Sequence, residues 1–123
     1  MQLYKASEDY LEAILILREK NGTVRSVDVA EFLGVSRPSV SYATHRLRDA
    51  GYIAMENNGP VYLTPEGEAV AQRIYERHRV LTDGLCRLGI DPELAREDAC
   101  RIEHDISDDT FEALKRHLAK FGS

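Results

Sequence analysis

Three side chains that can bind a transition metal lie within five residues of one another near the C-terminal end of the sequence. They are Cys100, Glu103 and His104. Residues three and four apart share one side of a helix, so a thiolate, a carboxylate and an imidazole could meet there. Each of these residue types is more often structural or solvated than metal-binding. The pattern therefore predicts a metal site only if other parts of the chain supply further donors.

Further donors occur on two predicted helices. Asp9 and Glu12 are three residues apart near the start of the first helix, and His78 lies in the middle of a long one. Acids at this position also stabilise a helix through its dipole alone. A single helical histidine is more often structural than a ligand. From the residues alone, both interpretations stay open.

A second functional pattern occupies residues 26–48. We expect Ser26 to cap a short helix through Leu33, and Gly34 to form a tight turn. Ser36 should cap a second helix, where the apolar face repeats at i, i+3, i+4 and i+7 through Val40, Ala43, Thr44 and Leu47. Two helices joined by a short glycine-containing turn are typical of a helix-turn-helix.

The opposite face of this second helix has the side chains of a DNA-reading surface. It is formed by Pro38, Ser39, Ser41, Tyr42 and His45, with Arg37, Arg46 and Arg48 beside them. Hydroxyls and a tyrosine can contact base edges, whereas arginines are suited to phosphates. The alternative is a helical hairpin with a solvated basic face. A strand-turn-strand pattern follows at residues 52–63, with Asn57 and Asn58 at the tip, which favours a DNA-binding wing.

The remaining elements are predicted to be helical. We expect helices from Glu8, capped by Ser7, to about Lys20; from Pro65, capped by Thr64, to about Leu88; from Asp91-Pro92 through His104; and from Asp108, capped by Ser107, to about Lys120. The predicted fold is mainly α with a small β wing: a winged helix-turn-helix DNA-binding domain at residues 1–70, then a helical metal-binding and dimerisation domain at 71–123.

Seven apolar residues in the second domain exceed what a few short helices can bury. They are Leu81, Leu85, Leu88, Ile90, Leu94, Ile102 and Ile106. Such a surplus predicts a homodimer.

Composition narrows the class of protein. The chain has 123 residues, 43% of them hydrophobic, and a net charge of -5, with the acidic excess concentrated after residue 63. No segment resembles a signal peptide or a membrane span, so we expect a cytoplasmic protein without a membrane partner. Cys86 and Cys100 should be reduced there. Since no phosphate loop, nucleophile elbow or catalytic triad is present, we expect no enzyme and no small organic substrate.

In this order and spacing, the motifs resemble the iron- and manganese-dependent repressors, the family of the diphtheria toxin repressor and the manganese transport regulator. The matching segments are Asp9-Tyr10-Leu11-Glu12, residues 29–36 with Pro38-Ser39-Val40, residues 63–67, Arg77-His78, and residues 99–104 with Ser107-Asp108. The resemblance covers nearly the whole chain. We expect a protein of the short, two-domain manganese regulator type, without the SH3-like third domain of the iron branch.

The resemblance implies a ligand set. Asp9, Cys100, Glu103 and His104 would form one metal position, and Glu12 and His78, with Glu103 bridging, a second. Asp9 is typical of the manganese branch and Cys100 of the iron branch, while Arg96 replaces the histidine of an ancillary site in the iron branch. We expect Mn(II) or Fe(II), up to two per subunit, with Co(II) or Zn(II) able to substitute.

The resemblance implies a repressor. Mn(II) or Fe(II) between the domains would fix a homodimer in the geometry that binds a pseudo-palindromic operator in double-stranded DNA, controlling metal-uptake genes. Two alternatives remain. One is a metal-independent winged-helix regulator that senses a small molecule or oxidant through Cys100 or Cys86. The other is a metal-dependent hydrolase, for which the sequence has no evident independent general base.

Overall fold

The computed structural model describes residues 5–56 and 59–121, in which six helices and two strands follow one another. They are α1 (Lys5–Asn21), α2 (Ser26–Leu33), α3 (Arg37–Asp49), β1 (Ile53–Met55), β2 (Val61–Leu63), α4 (Pro65–Arg87), α5 (Pro92–Ile102) and α6 (Asp108–Phe121). The predicted fold class, mainly helical with a small wing, is confirmed. The chain forms two compact units, Met1–Gln72 and Arg73–Ser123, and α4 contributes residues to both.

The first unit is a helical layer closed by a hairpin. α1 contacts α2, α3 and β2, and α3 contacts β1. The strands pair antiparallel, with Ile53 opposite Leu63 and Met55 opposite Val61. The largest core side chains come from every helix of this layer and include Leu11, Ile14, Leu15, Val29 and Val40. Burial of this apolar surface fixes the orientation of α3, and therefore which of its residues face solvent.

The ends of the helix-turn-helix show which capping predictions hold. Gly34 ends α2 with φ 68°, a left-handed conformation that favours glycine. Ser36 caps α3 by accepting a hydrogen bond from the Ser39 amide (3.2 Å). The prediction for Ser26 is wrong, because Arg25 is the N-cap of α2 and the Asp28 carboxylate accepts from the Arg25 amide (3.0 Å). The prediction for Ser7 is also wrong, since α1 already begins at Lys5.

The start of α4 is held tightly against the rest of the first unit. Thr64 Oγ1 accepts from the Gly67 amide (3.1 Å) and donates to the Gly51 carbonyl (2.7 Å). A Cβ at Gly67 would overlap the Tyr52 carbonyl oxygen. Arg18 of α1 also donates to both carboxylate oxygens of Glu68, at 2.5 and 3.0 Å. The beginning of α4 is thus fixed by a cap, a close backbone approach and a bidentate ion pair.

The second unit comprises the rest of α4 with α5 and α6. Its buried apolar side chains include Ile74, Leu81 and Phe111. Two of the seven residues expected at a dimer interface are strongly exposed in the single chain, Leu88 (78%) and Leu94 (48%). In the described part of the chain, no helix combines the length and hydrophobicity that a membrane span requires.

Candidate metal centre and DNA-binding face

The metal-competent side chains of the second unit come from α4 and from the end of α5. His78 lies on α4, Cys100 lies in the last turn of α5, and Glu103 is the C-cap of α5. The prediction that Glu103 and His104 lie within this helix is wrong, because α5 ends at Ile102. Glu103 keeps helical dihedral angles (φ -58°, ψ -24°), so the three-residue spacing from Cys100 still brings the two side chains together.

One ligand atom from each of His78, Cys100 and Glu103 lies within 4.8 Å of the other two. Ligands on opposite sides of one ion are about 4.4 Å apart, since metal-ligand bonds in such sites are about 2.0 to 2.3 Å long. An imidazole nitrogen, a thiol sulfur and a carboxylate oxygen form a donor set for a divalent transition metal. The three residues therefore suit a metal ion by chemistry, and their ligand atoms lie close to the separation that one ion requires.

The carboxylate of Glu103 is at the centre of this cluster and is fully buried. Its Oε2 lies 3.0 Å from His78 Nδ1, and its Oε1 lies 3.4 Å from His104 Nε2. Burial alone would raise the pKa of Glu103, but the contacts with His104 and His78, and their charges, outweigh it and hold the pKa below its ordinary value. The carboxylate is therefore ionised at neutral pH, as a ligand must be.

The remaining predicted ligands differ in exposure. The side chain of His104 is 2% exposed and contacts Oε1 of Glu103, whereas His78 contacts Oε2. In the first unit, Glu12 is buried on α1 and Asp9 is half-buried one turn earlier. Cys100 is exposed and Cys86 is half-buried.

The DNA-reading residues predicted on α3 are all exposed. Several of them line a concave groove of about 710 Å³ together with the N-terminal end of α2 and the end of β1. Its cationic and polar side chains include Arg25, Arg37, Ser41, His45 and Arg48, and Glu56 lies at its edge. Sequence reasoning missed Arg25, because it precedes the predicted helix-turn-helix by one residue and only the folded chain brings it to this groove.

The other predicted DNA contacts lie on a different side of α3. Ser39, Tyr42 and Arg46 line a smaller groove with the N-terminal end of α1. Arg46 donates to the Tyr42 hydroxyl (3.2 Å) and lies over its ring, 5.6 Å from the centroid. The Ser39 hydroxyl is hydrogen-bonded to Ser36 Oγ (2.8 Å). Asn57 and Asn58 lie outside the described residues, and Pro38 is exposed in the first turn of α3.

The ring of His45 has a defined tautomer within the larger groove. Its Nδ1 lies 2.6 Å from the Ser41 carbonyl oxygen. Because a carbonyl only accepts, Nδ1 must carry the proton. In the neutral ring Nε2 is then an acceptor, which can receive a hydrogen bond from an exocyclic amine of cytosine or adenine.

Comparison with known proteins assigns the chain to a family. Residues 2–61 match the sequence profile of the iron dependent repressor N-terminal DNA binding domain, and residues 64–123 match that of the iron dependent repressor metal binding and dimerisation domain. The chain is 41% identical over 116 residues to the transcriptional regulator MntR of Salmonella typhimurium, covering 94% of this chain and 74% of that protein. The chain belongs to the iron-dependent repressor family.

Other members and solved structures agree with this assignment. An HTH-type transcriptional regulator of Methanocaldococcus jannaschii is 34% identical to this chain over 116 residues, and the match covers 93% of each protein. The structure of the metal-dependent transcriptional regulator MtsR superposes with a TM-score of 0.84 at 28% identity, over 92% of this chain and 53% of that one. The structure of a manganese-dependent transcriptional repressor in complex with manganese superposes with a TM-score of 0.83 at 28% identity, over 92% of this chain and 52% of that one. The chain thus spans about half the length of these two solved structures.

As a member of the iron-dependent repressor family, the chain is a metal-dependent transcriptional regulator with a DNA-binding domain followed by a metal-binding and dimerisation domain. Its relatives are named transcriptional regulators, not enzymes.

Proposed function

We propose that this repressor acts in the cytoplasm, responds to Mn(II) or Fe(II), and controls genes for metal uptake. The observation that carries the proposal is the grouping of His78, Cys100 and Glu103 within 4.8 Å, in the domain that matches the family's metal-binding profile. A bound ion would supply positive charge that holds the nitrogen, sulfur and oxygen donors together. Relatives named as manganese regulators support the choice of metal.

We propose that Asp9, Glu12 and His104 complete the ligand set, with up to two ions per subunit. Carboxylates suit Mn(II) and Fe(II), whereas the thiolate of Cys100 favours Fe(II), Co(II) or Zn(II) over Mn(II). Both metals therefore remain candidates, and Co(II) or Zn(II) should bind in vitro. Asp9 and Glu12 belong to the helix that packs on α2 and α3, so their coordination would couple metal binding to the DNA-reading helix.

We propose that two copies bind a pseudo-palindromic operator, each inserting α3 into a major groove. Arg25, Arg37 and Arg48 would contact phosphates, and Ser41 and His45 would face the bases. Arg46 would orient the exposed Tyr42 side chain for contact with DNA, because it donates a hydrogen bond to the Tyr42 hydroxyl and lies over the Tyr42 ring. Pro38 and Ser39 would lie at the N-terminal end of the reading helix, and Asn57 and Asn58 would contact the DNA backbone from the wing.

The test is selection of operators from a genomic library. Sheared fragments are captured anaerobically at fixed salt on the immobilised full chain, with Mn(II), Fe(II), Zn(II) or chelator, and the retained DNA is sequenced. Glu103→Gln removes the central carboxylate, and Glu97→Gln, an exposed glutamate on α5, is the matched control. We expect a few palindromic fragments retained with metal by the wild type and E97Q and lost in E103Q. Equal retention with chelator would contradict the proposal and favour the metal-independent regulator.

A further inference from the structure

Arg77 is a buried arginine that directly precedes the candidate ligand His78 on α4. Its side chain is 6% exposed, which is unusual for a charged group unless it is well paired. Nη1 donates to the carbonyl oxygens of Glu103 (3.0 Å) and Ile106 (2.8 Å), and Nη2 pairs with the carboxylate of Asp108. The guanidinium also lies over the Phe111 ring, 5.3 Å from its centroid. One side chain thus connects α4, the turn after α5 and the start of α6.

The turn held by Arg77 is the segment that carries Glu103 and His104. The last carbonyls of a helix have no partner within the helix, and Arg77 donates to one of them at the C-cap of α5. On the next residue of α4, His78 contacts the carboxylate of the same glutamate (3.0 Å). Adjacent α4 residues therefore hold Glu103 at both its backbone and its side chain.

We propose that Arg77 is the positioning residue of the metal centre. By fixing the backbone of residues 103–106 against α4, it holds the Glu103 and His104 side chains at the separation from His78 that the ion requires. This inference rests on the proposed metal-binding function. The planar guanidinium donates to two carbonyls and a carboxylate at once, which a lysine ammonium on a flexible stem does not reproduce. Groups that orient metal ligands in this way affect metal affinity without touching the ion.

The test compares three substitutions in the full chain. Arg77→Lys keeps the positive charge and removes the planar guanidinium. Asp108→Asn removes the carboxylate charge that pairs with the guanidinium. The Asp108 side chain is 73% exposed, so folding should tolerate this change. Arg79→Lys is the matched control, an exposed arginine two residues along α4 that stacks on Tyr75. Each protein is titrated anaerobically with Co(II), following the visible ligand-field spectrum, and is melted by circular dichroism in chelator.

We expect R77K to bind Co(II) about 10- to 100-fold more weakly, with an altered ligand-field spectrum. D108N should show a smaller loss in the same direction, and R79K should match the wild type. A purely structural role would lower the melting temperature and leave the affinity and spectrum of the folded protein unchanged.

Two results would overturn the inference. One is a folded R77K with wild-type affinity and spectrum; the other, if R77K does not fold, is a D108N indistinguishable from wild type. A wild-type chain that binds no Co(II) would contradict the proposed function itself, whereas normal binding by all variants would contradict only the role of Arg77.

Discussion

At the scale of single residues, the candidate metal centre is defined by Glu103. Its carboxylate is buried between two imidazoles and stays ionised, because the favourable contacts of His104 and His78 outweigh the effect of burial on its pKa. Cys100 reaches the same point from an exposed position in the preceding turn. The sequence predicted the types and the spacing of these groups. It did not predict the contacts of Arg77, because Glu103, the nearest of its hydrogen-bond partners along the chain, is 26 residues away.

The two cysteines allow a direct test of the sulfur ligand. Bound to a thiolate, Co(II) gives a strong charge-transfer absorption in the near ultraviolet, so Cys100→Ser should remove that band while Cys86→Ser keeps it. Anaerobic titration with Co(II) would measure both. A band that survives in C100S would show that Cys100 is not a ligand.

The arginines of the large α3 groove should strengthen binding to DNA of any sequence, because they are proposed to contact phosphates. We expect Arg37→Ala and Arg48→Ala each to weaken binding at all sites, and to reduce the slope of log affinity against log salt by about 0.9 for each phosphate that is no longer neutralised. Fluorescence anisotropy on one duplex at several salt concentrations gives the slope. Arg101→Ala, at an exposed side chain of α5, is the charge-matched control. An unchanged slope for R37A and R48A would show that these two arginines do not contact DNA phosphates.

At the scale of elements, the boundaries show where local sequence is sufficient. Ser36, Thr64 and Ser107 were predicted as caps and do accept from the amide three residues later. Ser7 and Ser26 were predicted by the same reasoning and are not caps, because α1 begins earlier and α2 begins after Arg25. A serine before an apolar repeat marks a helix start only when the preceding residues cannot extend the helix.

Gly67 determines how closely α4 approaches the short segment between α3 and β1. Because a Cβ there would overlap the Tyr52 carbonyl, we expect Gly67→Ala to destabilise the first unit by about 3 kcal/mol, despite alanine's higher helix propensity. Urea unfolding followed by circular dichroism measures the change. Gly84→Ala on the same helix is the control, since there only the flexible end of Leu118 must move. Equal stability of G67A and wild type would show that the close approach is relaxed in solution.

The ion pair between α1 and α4 has a pH dependence with a definite sign. Hydrogen bonding to Arg18 lowers the pKa of Glu68 below its unfolded value of 4.5. A lowered pKa gives stability that is present above pH 4.5 and lost as the pH falls through the folded value. Since both side chains are about one-third exposed, we expect Glu68→Gln to cost about 1 kcal/mol or less at pH 7, and less at pH 3 than at pH 7. Denaturant unfolding at both pH values checks this; Glu66→Gln, exposed in the same turn, is the control.

At the scale of the whole molecule, two units with separate tasks lie along one chain. The first unit exposes α3, the helix proposed to read DNA, and the second gathers side chains that can bind a metal; the first matches the DNA-binding profile of the family and the second its metal-binding profile. Element order and the family were predictable from sequence, because turn signals and apolar periodicity are local. Contacts between distant residues were not. Only the folded structure shows that Arg25 lines the α3 groove and that Arg77 donates to the Glu103 carbonyl.

We propose that metal binding at Glu103 and DNA binding by α3 are thermodynamically coupled. The most direct measurement is the dissociation constant for one selected operator at fixed salt, with saturating metal and with chelator, for wild type, E103Q and E97Q. Coupling of about 1 to 3 kcal/mol predicts 5- to 150-fold tighter binding with metal for wild type and E97Q. For E103Q we expect the ratio to fall towards one. A wild-type ratio of one, or the same ratio in E103Q, would contradict the coupling.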